Sequence, residues 1–211
     1  MDLLITNARV WDDRPTVDIA IEGDRITAME PRIEAEAART IDAGGRAVLP
    51  GFVEPHLHLD KALIYRRQPA RDGTLEEAIR LTGQLKAEQD REDVLERSRA
   101  VLDMAVAHGT VAVRAHPDVD PIQGLIGVET GVALRDEYRD LLHLDIVAFP
   151  QEGIVKAPGT FELMEEALRM GANVVGGCPY NERTWDDTTR HIDRDVVVVT
   201  YCDGIGCNGD R

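Results

Sequence analysis

From residue 51 onward, short apolar runs typical of strands alternate with longer amphipathic runs typical of helices. The four predicted strands are residues 52–58, 110–116, 144–150 and 173–177. A strand joined to the next strand through a helix returns in the same direction, so repeated units of this kind form a parallel sheet. The alternation therefore predicts an α/β fold for this part of the chain.

The segments between these strands carry the start and stop signals of helices. A side chain that can accept a hydrogen bond from first-turn N–H groups precedes three amphipathic stretches: Thr74, Asp90 and Thr160. Gly171 is predicted to end the third of these helices. Residues 121–140 are predicted to be helical as well, although three glycines weaken this prediction.

Residues 1–50 are predicted to form a separate small β region. Gly23 and Asp24 supply a two-residue turn between two alternating stretches. The predicted strands are residues 3–11, 18–22, 25–29, 40–42 and 47–49.

The composition limits the partners and the location of the chain. Lys and Arg number 24 against 39 Asp and Glu, for a net charge of −15, which argues against nucleic acid or an anionic membrane surface as a partner. No apolar run approaches the roughly 20 residues of a membrane span, and the N-terminus lacks the pattern of a signal peptide. Three cysteines suit a reducing compartment, so a cytoplasmic location is predicted.

The sequence PHLHLDK at residues 55–61 contains the most informative pair of side chains. Residues two apart in a strand point to the same side, so His56 and His58 share one face at a strand end. Such a pair is half of a metal site. The residues alone leave a second interpretation open, in which both are ordinary hydrogen-bonded histidines.

The sequence GFVEPHLHLDK at residues 51–61 resembles the first barrel strand of the amidohydrolase superfamily, in its cytosine deaminase-like branch. Residues 113–120, 144–154 and 171–177 resemble the second, third and fourth strands, and the resemblance runs from residue 1 to about residue 193. It implies a metal-dependent hydrolase or deaminase that breaks a C–N bond of a cyclic amide or nucleobase-like substrate. It also implies that residues 1–50 are part of a β-sandwich and that residues 51–193 are about four βα units of a TIM-type barrel.

The resemblance also assigns roles to residues of this chain. It implies that His56 and His58 bind one divalent ion, zinc or iron, and that Gln151 holds the substrate ring. His116 and Asp118 line the same mouth and are interpreted as supports behind the ligand histidines, with plain structural roles as the alternative. The resemblance places the remaining ligands and the acid/base residues on later strands, so no catalytic residue is assigned in this chain.

Seven other residues bear on these assignments. The lysines are Lys61, Lys86 and Lys156, and none lies at the end of the fourth strand, where two-metal members of the superfamily place a bridging lysine. Cys178, after that strand, is predicted to be a small buried residue. The remaining histidines are predicted to lie at a helix end or at the surface: His108, His143 and His191.

Residues 194–211 do not match the superfamily and are predicted to be an aberrant or disordered tail. A closed barrel needs about 250 residues, and the hypothesis is a frameshifted or prematurely ended product of a longer gene. Two patterns in this tail resemble binding motifs. The glycines at 204, 206 and 209 have the spacing of a dinucleotide-binding motif but lack the helix that must follow it. Cys202 and Cys207 resemble half of a zinc site but have no second pair of ligands. The alternative to an enzyme is therefore an inactive fragment or a half-barrel binding module, either of which could form a homo-oligomer through its unpaired strand edges.

Overall fold

The computed structural model describes residues 1–11, 14–67, 69 and 71–192, and residues 199–200 as backbone. The chain divides into two compact units, Met1–Pro50 and Gly51–Arg211. The predicted tail at 194–211 lies outside the described residues, apart from residues 199–200. Its glycine motif, Cys202 and Cys207 are therefore not described. No helix in the described part of the chain is long and apolar enough to cross a membrane.

The first unit is a four-stranded sheet with the strand order β3-β2-β1-β4. Its strands are β1 Leu3–Ala8, β2 Val17–Glu22, β3 Arg25–Glu30 and β4 Arg39–Asp42. Gly23 adopts a φ of +56° in the predicted turn between the antiparallel strands β2 and β3. β4 adds to β1 in the parallel direction. The strand predicted at residues 47–49 is reduced to one isolated bridge between Arg9 and Ala47.

The second unit contains a parallel sheet whose strands lie in chain order. Its strands are β5 Phe52–Leu57, β6 Thr110–Ala115, β7 His143–Ala148, β8 Val174–Gly177 and β9 Val199–Thr200. Its helices are α1 Leu75–Lys86, α2 Arg91–Ala107, α3 Ile126–Tyr138, α4 Thr160–Met170 and α5 Trp185–Ile192. The first four of these strands form a curled half-barrel sheet, so the predicted α/β half-barrel is confirmed.

The core of the second unit lies between this sheet and helices α2, α3 and α4. Leu102 of α2, Leu134 of α3 and Ile146 of β7 are completely buried within it. α3 packs closely on β7 at Gly131, where a Cβ would lie 3.5 Å from Ile146, at ordinary contact distance. This packing fixes the ends of the strands from which the site is built.

The N-termini of the helices show which of the predicted capping residues are correct. The side chains of Thr74 and Asp90 accept hydrogen bonds from the N–H groups of Glu77 and Asp93 at 3.2 and 2.9 Å, so both predicted caps are confirmed. The prediction that Thr160 caps α4 is wrong. Thr160 is the first residue of α4 and is buried, and Gly159 precedes the helix in the left-handed conformation.

The helix predicted at residues 121–140 begins later than expected, at Ile126. The carboxylate of Asp120 accepts hydrogen bonds from the N–H groups of Ile122 and Gln123 at 2.8 and 3.0 Å. These bonds hold residues 120–123 in a turn and so compete with helix formation there.

Candidate metal and substrate site

Two histidines meet at the C-terminal end of β5. His56 lies in the strand and His58 follows its last residue, so the two side chains project to one side. Their Nε2 atoms are 3.1 Å apart, and the ring centroids are 5.0 Å apart with an interplanar angle of 54°. The rings therefore converge as the His-x-His spacing predicts.

This separation suits two ligands of one metal ion. Zn–N bonds of about 2.0–2.1 Å in tetrahedral geometry place two ligand nitrogens about 3.3 Å apart. Within residues 1–11, 14–67, 69 and 71–192, no group of three or more His, Cys, Asp or Glu side chains is arranged to hold a metal ion. The two histidines thus fit a metal ion as a pair, and the described part of the chain brings no complete ligand set.

Aromatic rings hold the histidine pair in place. His116, predicted as a support, is fully buried and stacks on His56 with centroids 3.9 Å apart and planes 3° from parallel. Its Nδ1 lies 3.1 Å from the carbonyl oxygen of Arg114, which can only accept, so Nδ1 carries the proton. Phe149, after β7, meets all three imidazoles edge-on at centroid distances of 5.4 to 6.1 Å.

Asp118, the second predicted support, lies behind His58 on the loop after β6. Its Oδ1 is 3.8 Å from Nδ1 of His58 and accepts a hydrogen bond from Lys61 at 2.8 Å. Its backbone N–H donates to Oδ2 of Asp60 at 3.0 Å. Burial alone would raise the pKa of Asp118, but Lys61 and Lys86 lower it, so the carboxylate is ionised at neutral pH. Burial, and then the charge of Asp118, raise the pKa of Asp60.

Lys86 reaches this group of side chains from the last turn of α1. Its Nζ lies 2.5 Å from Oδ2 of Asp118, 2.8 Å from Oδ2 of Asp120 and 3.4 Å from Oε1 of Glu152. Burial opposes its charge, but the two aspartates raise the pKa of Lys86 above its usual value, so the amine is protonated. The sequence did not reveal this role, because Asp120 and Glu152 are 34 and 66 residues away.

Gln151 lies on the loop after β7, two residues beyond Phe149. Its backbone carbonyl accepts a hydrogen bond from Asn181 at 2.6 Å, and its side-chain Nε2 lies 3.6 Å from Sγ of Cys178. Cys178 is 1% exposed and packs with Val147 and Phe149, as expected of a small buried residue. Gln151 is half-buried on the loop that also carries Phe149, and its contact with a substrate ring stays a prediction.

The prediction that His191 lies at the surface is wrong. Its ring is fully buried, and Nδ1 is 2.7 Å from Oε1 of Glu182. The Glu182 carboxylate also accepts the N–H groups of residues 154–156 at 2.6 to 3.1 Å. Burial alone would raise the pKa of Glu182, but the bonds from His191 and from this loop lower it. By contrast, His143 is exposed and His108 lies at the end of α2, as predicted.

Comparison with known proteins finds similarity over most of the chain. Residues 39–170 match the sequence profile described as the amidohydrolase family. The N-isopropylammelide isopropyl amidohydrolase of Pseudomonas sp. (strain ADP) is 34% identical over a 185-residue alignment that covers 83% of this chain and 45% of that protein.

Two solved structures share the fold at a similar level of identity. The 5-methylcytosine deaminase from Klebsiella pneumoniae liganded with 5-fluorocytosine superposes with a TM-score of 0.80 and 36% identity, over 96% of this chain and 51% of that one. The N-isopropylammelide isopropylaminohydrolase from Burkholderia multivorans superposes with a TM-score of 0.73 and 36% identity, over 84% of this chain and 45% of that one. The chain thus spans about half the length of the proteins it resembles.

Proposed function

This chain belongs to the amidohydrolase family, and we propose that it binds one divalent metal ion through His56 and His58 in a protein that hydrolyses a C–N bond of a cyclic amide or nucleobase-like ring. The observation that carries the proposal is the 3.1 Å separation of the two Nε2 atoms at the end of β5. The active sites of βα barrels lie at this end of the strands.

Zinc and iron are the metals that suit such ligands, since imidazole binds both. A divalent ion at this position would supply Lewis-acid chemistry and lower the pKa of water toward about 7. The role of this chain's own residues is to orient the two imidazoles. His116 does so by stacking on His56, and Asp118 by facing Nδ1 of His58.

The proposed substrate is a six-membered nitrogen heterocycle that carries an exocyclic amine. Relatives named for 5-methylcytosine and for N-isopropylammelide support this class, because both compounds are such rings. Gln151 is the residue proposed to hold the ring, since a primary amide offers a donor and an acceptor together. No nucleic acid or membrane partner is proposed, and the cytoplasmic location and a homo-oligomer stay predictions of the sequence.

Metal titration tests the proposal directly. The purified chain, stripped by a chelator, is titrated with Zn²⁺ or Co²⁺ and compared with the double variant His56→Ala/His58→Ala. His143→Ala is the matched control, because it also removes an imidazole but its side chain is 71% exposed at the start of β7. We expect the double variant to lose binding and the control to keep it. Equal binding by all three proteins would refute the metal assignment.

A second candidate is that the 211-residue polypeptide by itself is an inactive fragment or a half-barrel binding module. The observation in its favour is that the described residues bring two convergent ligands and no complete set. Release of ammonia from 5-methylcytosine, or of alkylamine from N-isopropylammelide, with added Zn²⁺ or Fe²⁺ separates the two candidates. Turnover that disappears in His56→Ala would exclude the inactive fragment, and a dimeric mass by light scattering without turnover would favour the binding module.

A further inference from the structure

Lys86 is buried in a way that lysines rarely are. It is only 3% exposed, and a lysine is almost never fully buried unless its charge is paired. Its amine contacts three carboxylates on two loops: Asp118 and Asp120 after β6, and Glu152 after β7. The side chain thus links α1 to the ends of both strands.

Both oxygens of the Asp118 carboxylate are committed by these contacts. Oδ2 contacts Lys86 at 2.5 Å, while Oδ1 accepts from Lys61 at 2.8 Å and faces Nδ1 of His58 at 3.8 Å. Because a carboxylate is rigid and planar, holding one oxygen fixes the direction of the other. The direction of Oδ1, which faces His58, is therefore determined in part by the contact of Oδ2 with Lys86.

We propose that Lys86 is a positioning residue for the metal site, which holds the Asp118 carboxylate toward His58 and so keeps His58 Nε2 directed at His56 Nε2. The inference rests on the proposed function, since it takes these two nitrogens as ligands. Glu152 connects the same amine to the loop on which Gln151 lies. Lys86 acts on His58 only through Asp118, and that route can be tested.

The alternative is a purely structural role, in which Lys86 fastens α1 to the sheet. A fastening residue would change the free energy of unfolding and leave the metal affinity of the folded protein unchanged. A positioning residue changes the affinity itself, because loss of a group behind a ligand typically weakens metal binding about 10–100-fold.

The test compares Zn²⁺ affinity in Lys86→Met and Lys156→Met under conditions where both are folded. Each variant removes one positive charge, and Lys156 lies on the loop after β7 and is not among the partners of Asp118 in the described contacts. We expect binding to weaken about 10–100-fold in Lys86→Met and to be unchanged in Lys156→Met. If Lys86→Met does not fold, Lys86→Gln replaces it, because glutamine stays polar but is one atom shorter and uncharged, so it cannot form the ion pair with Asp118. We expect the same direction of change in this variant, and unchanged Zn²⁺ affinity would overturn the proposal.

A double variant tests the route through Asp118. Lys86→Met combined with Asp118→Asn should bind Zn²⁺ no more weakly than Asp118→Asn alone, because both changes break the same link. Losses that multiply in the double variant would show that Lys86 acts by another path and would overturn the proposal.

A crystal structure of metal-free Lys86→Met gives a readout that needs no bound metal. We expect the Asp118 carboxylate to turn away from His58 and the 3.1 Å separation of the two Nε2 atoms to be lost. Unchanged positions of these groups, or unchanged Zn²⁺ affinity, would overturn the proposal. A wild-type chain that binds no Zn²⁺ would instead overturn the proposed function, and the crystal structure would still decide whether Lys86 orients His58.

Discussion

A single methyl group added at Gly176 should disturb the histidine pair through the ring of Phe149. A Cβ added there would lie 2.6 Å from Cγ1 of Val147 and 2.7 Å from Cδ2 of Phe149, closer than real Cβ contacts come. Both neighbours are completely or almost completely buried and packed in the same small cluster, so neither has open space to enter. Overpacking of this kind costs about 1–3 kcal/mol of unfolding free energy.

The strain should also reach the metal site. The Phe149 ring meets His56, His58 and His116 edge-on, so a ring displaced by Gly176→Ala presses on all three imidazoles. We therefore expect weaker Zn²⁺ binding together with the loss of stability.

Gly83→Ala is the matched control for this experiment. Gly83 lies within α1, and a Cβ there would meet nothing within 4 Å, so alanine should stabilise the protein by about 0.5–1 kcal/mol. Urea unfolding followed by circular dichroism measures both variants. A Gly176→Ala protein as stable as the wild type would refute the packing argument, and lost stability with unchanged Zn²⁺ affinity would refute the link through Phe149.

Two further substitutions test the loop after β7. Gln151→Ala should weaken binding of the heterocycle measured by calorimetry and leave the Zn²⁺ content intact; lost metal with unchanged heterocycle affinity would contradict its proposed role. Glu182→Gln should lower the unfolding free energy at pH 7 by about 1–3 kcal/mol, because the carboxylate accepts the buried N–H groups of residues 154–156 and the bond from His191. Folding lowers the pKa of Glu182, so its stabilisation is present above the unfolded value of about 4.3 and is lost as the pH falls through the lower folded value. The difference from the wild type should therefore shrink in urea unfolding at acid pH, and a difference that grows there would contradict this sign.

The parts of the site that could be predicted from sequence depend on local geometry. The sequence predicts that His56 and His58 share one face because strand side chains alternate, and two residues of backbone are enough to fix that relation. The caps at Thr74 and Asp90 likewise involve bonds across three residues. The prediction for Thr160 fails because Gly159, in the left-handed conformation, occupies the capping position before the helix.

The parts that could not be predicted depend on contacts between distant segments. Lys86 resembles any other basic residue in the last turn of a helix, and only the fold brings Asp118 and Asp120 to its amine. His191 resembles a surface residue beside an arginine, but the fold buries its ring against Glu182, whose carboxylate also accepts the N–H groups of residues 154–156. No pattern in the sequence indicates that Glu182 links the loop after β7 to His191 of α5.

The charge of the chain sharpens the test of Lys86. A net charge of −15 attracts divalent cations toward the whole surface, and salt screens this attraction beyond about 10 Å at 0.1 M. Removing a neutral histidine leaves that charge unchanged, whereas Lys86→Met makes the chain more negative by one and by itself favours cation binding. Weaker Zn²⁺ binding in Lys86→Met would therefore oppose the electrostatic trend. Because Lys156→Met carries the same change of charge, a loss seen only in Lys86→Met comes from the local geometry around Lys86, and the double variant with Asp118→Asn decides whether Asp118 transmits it.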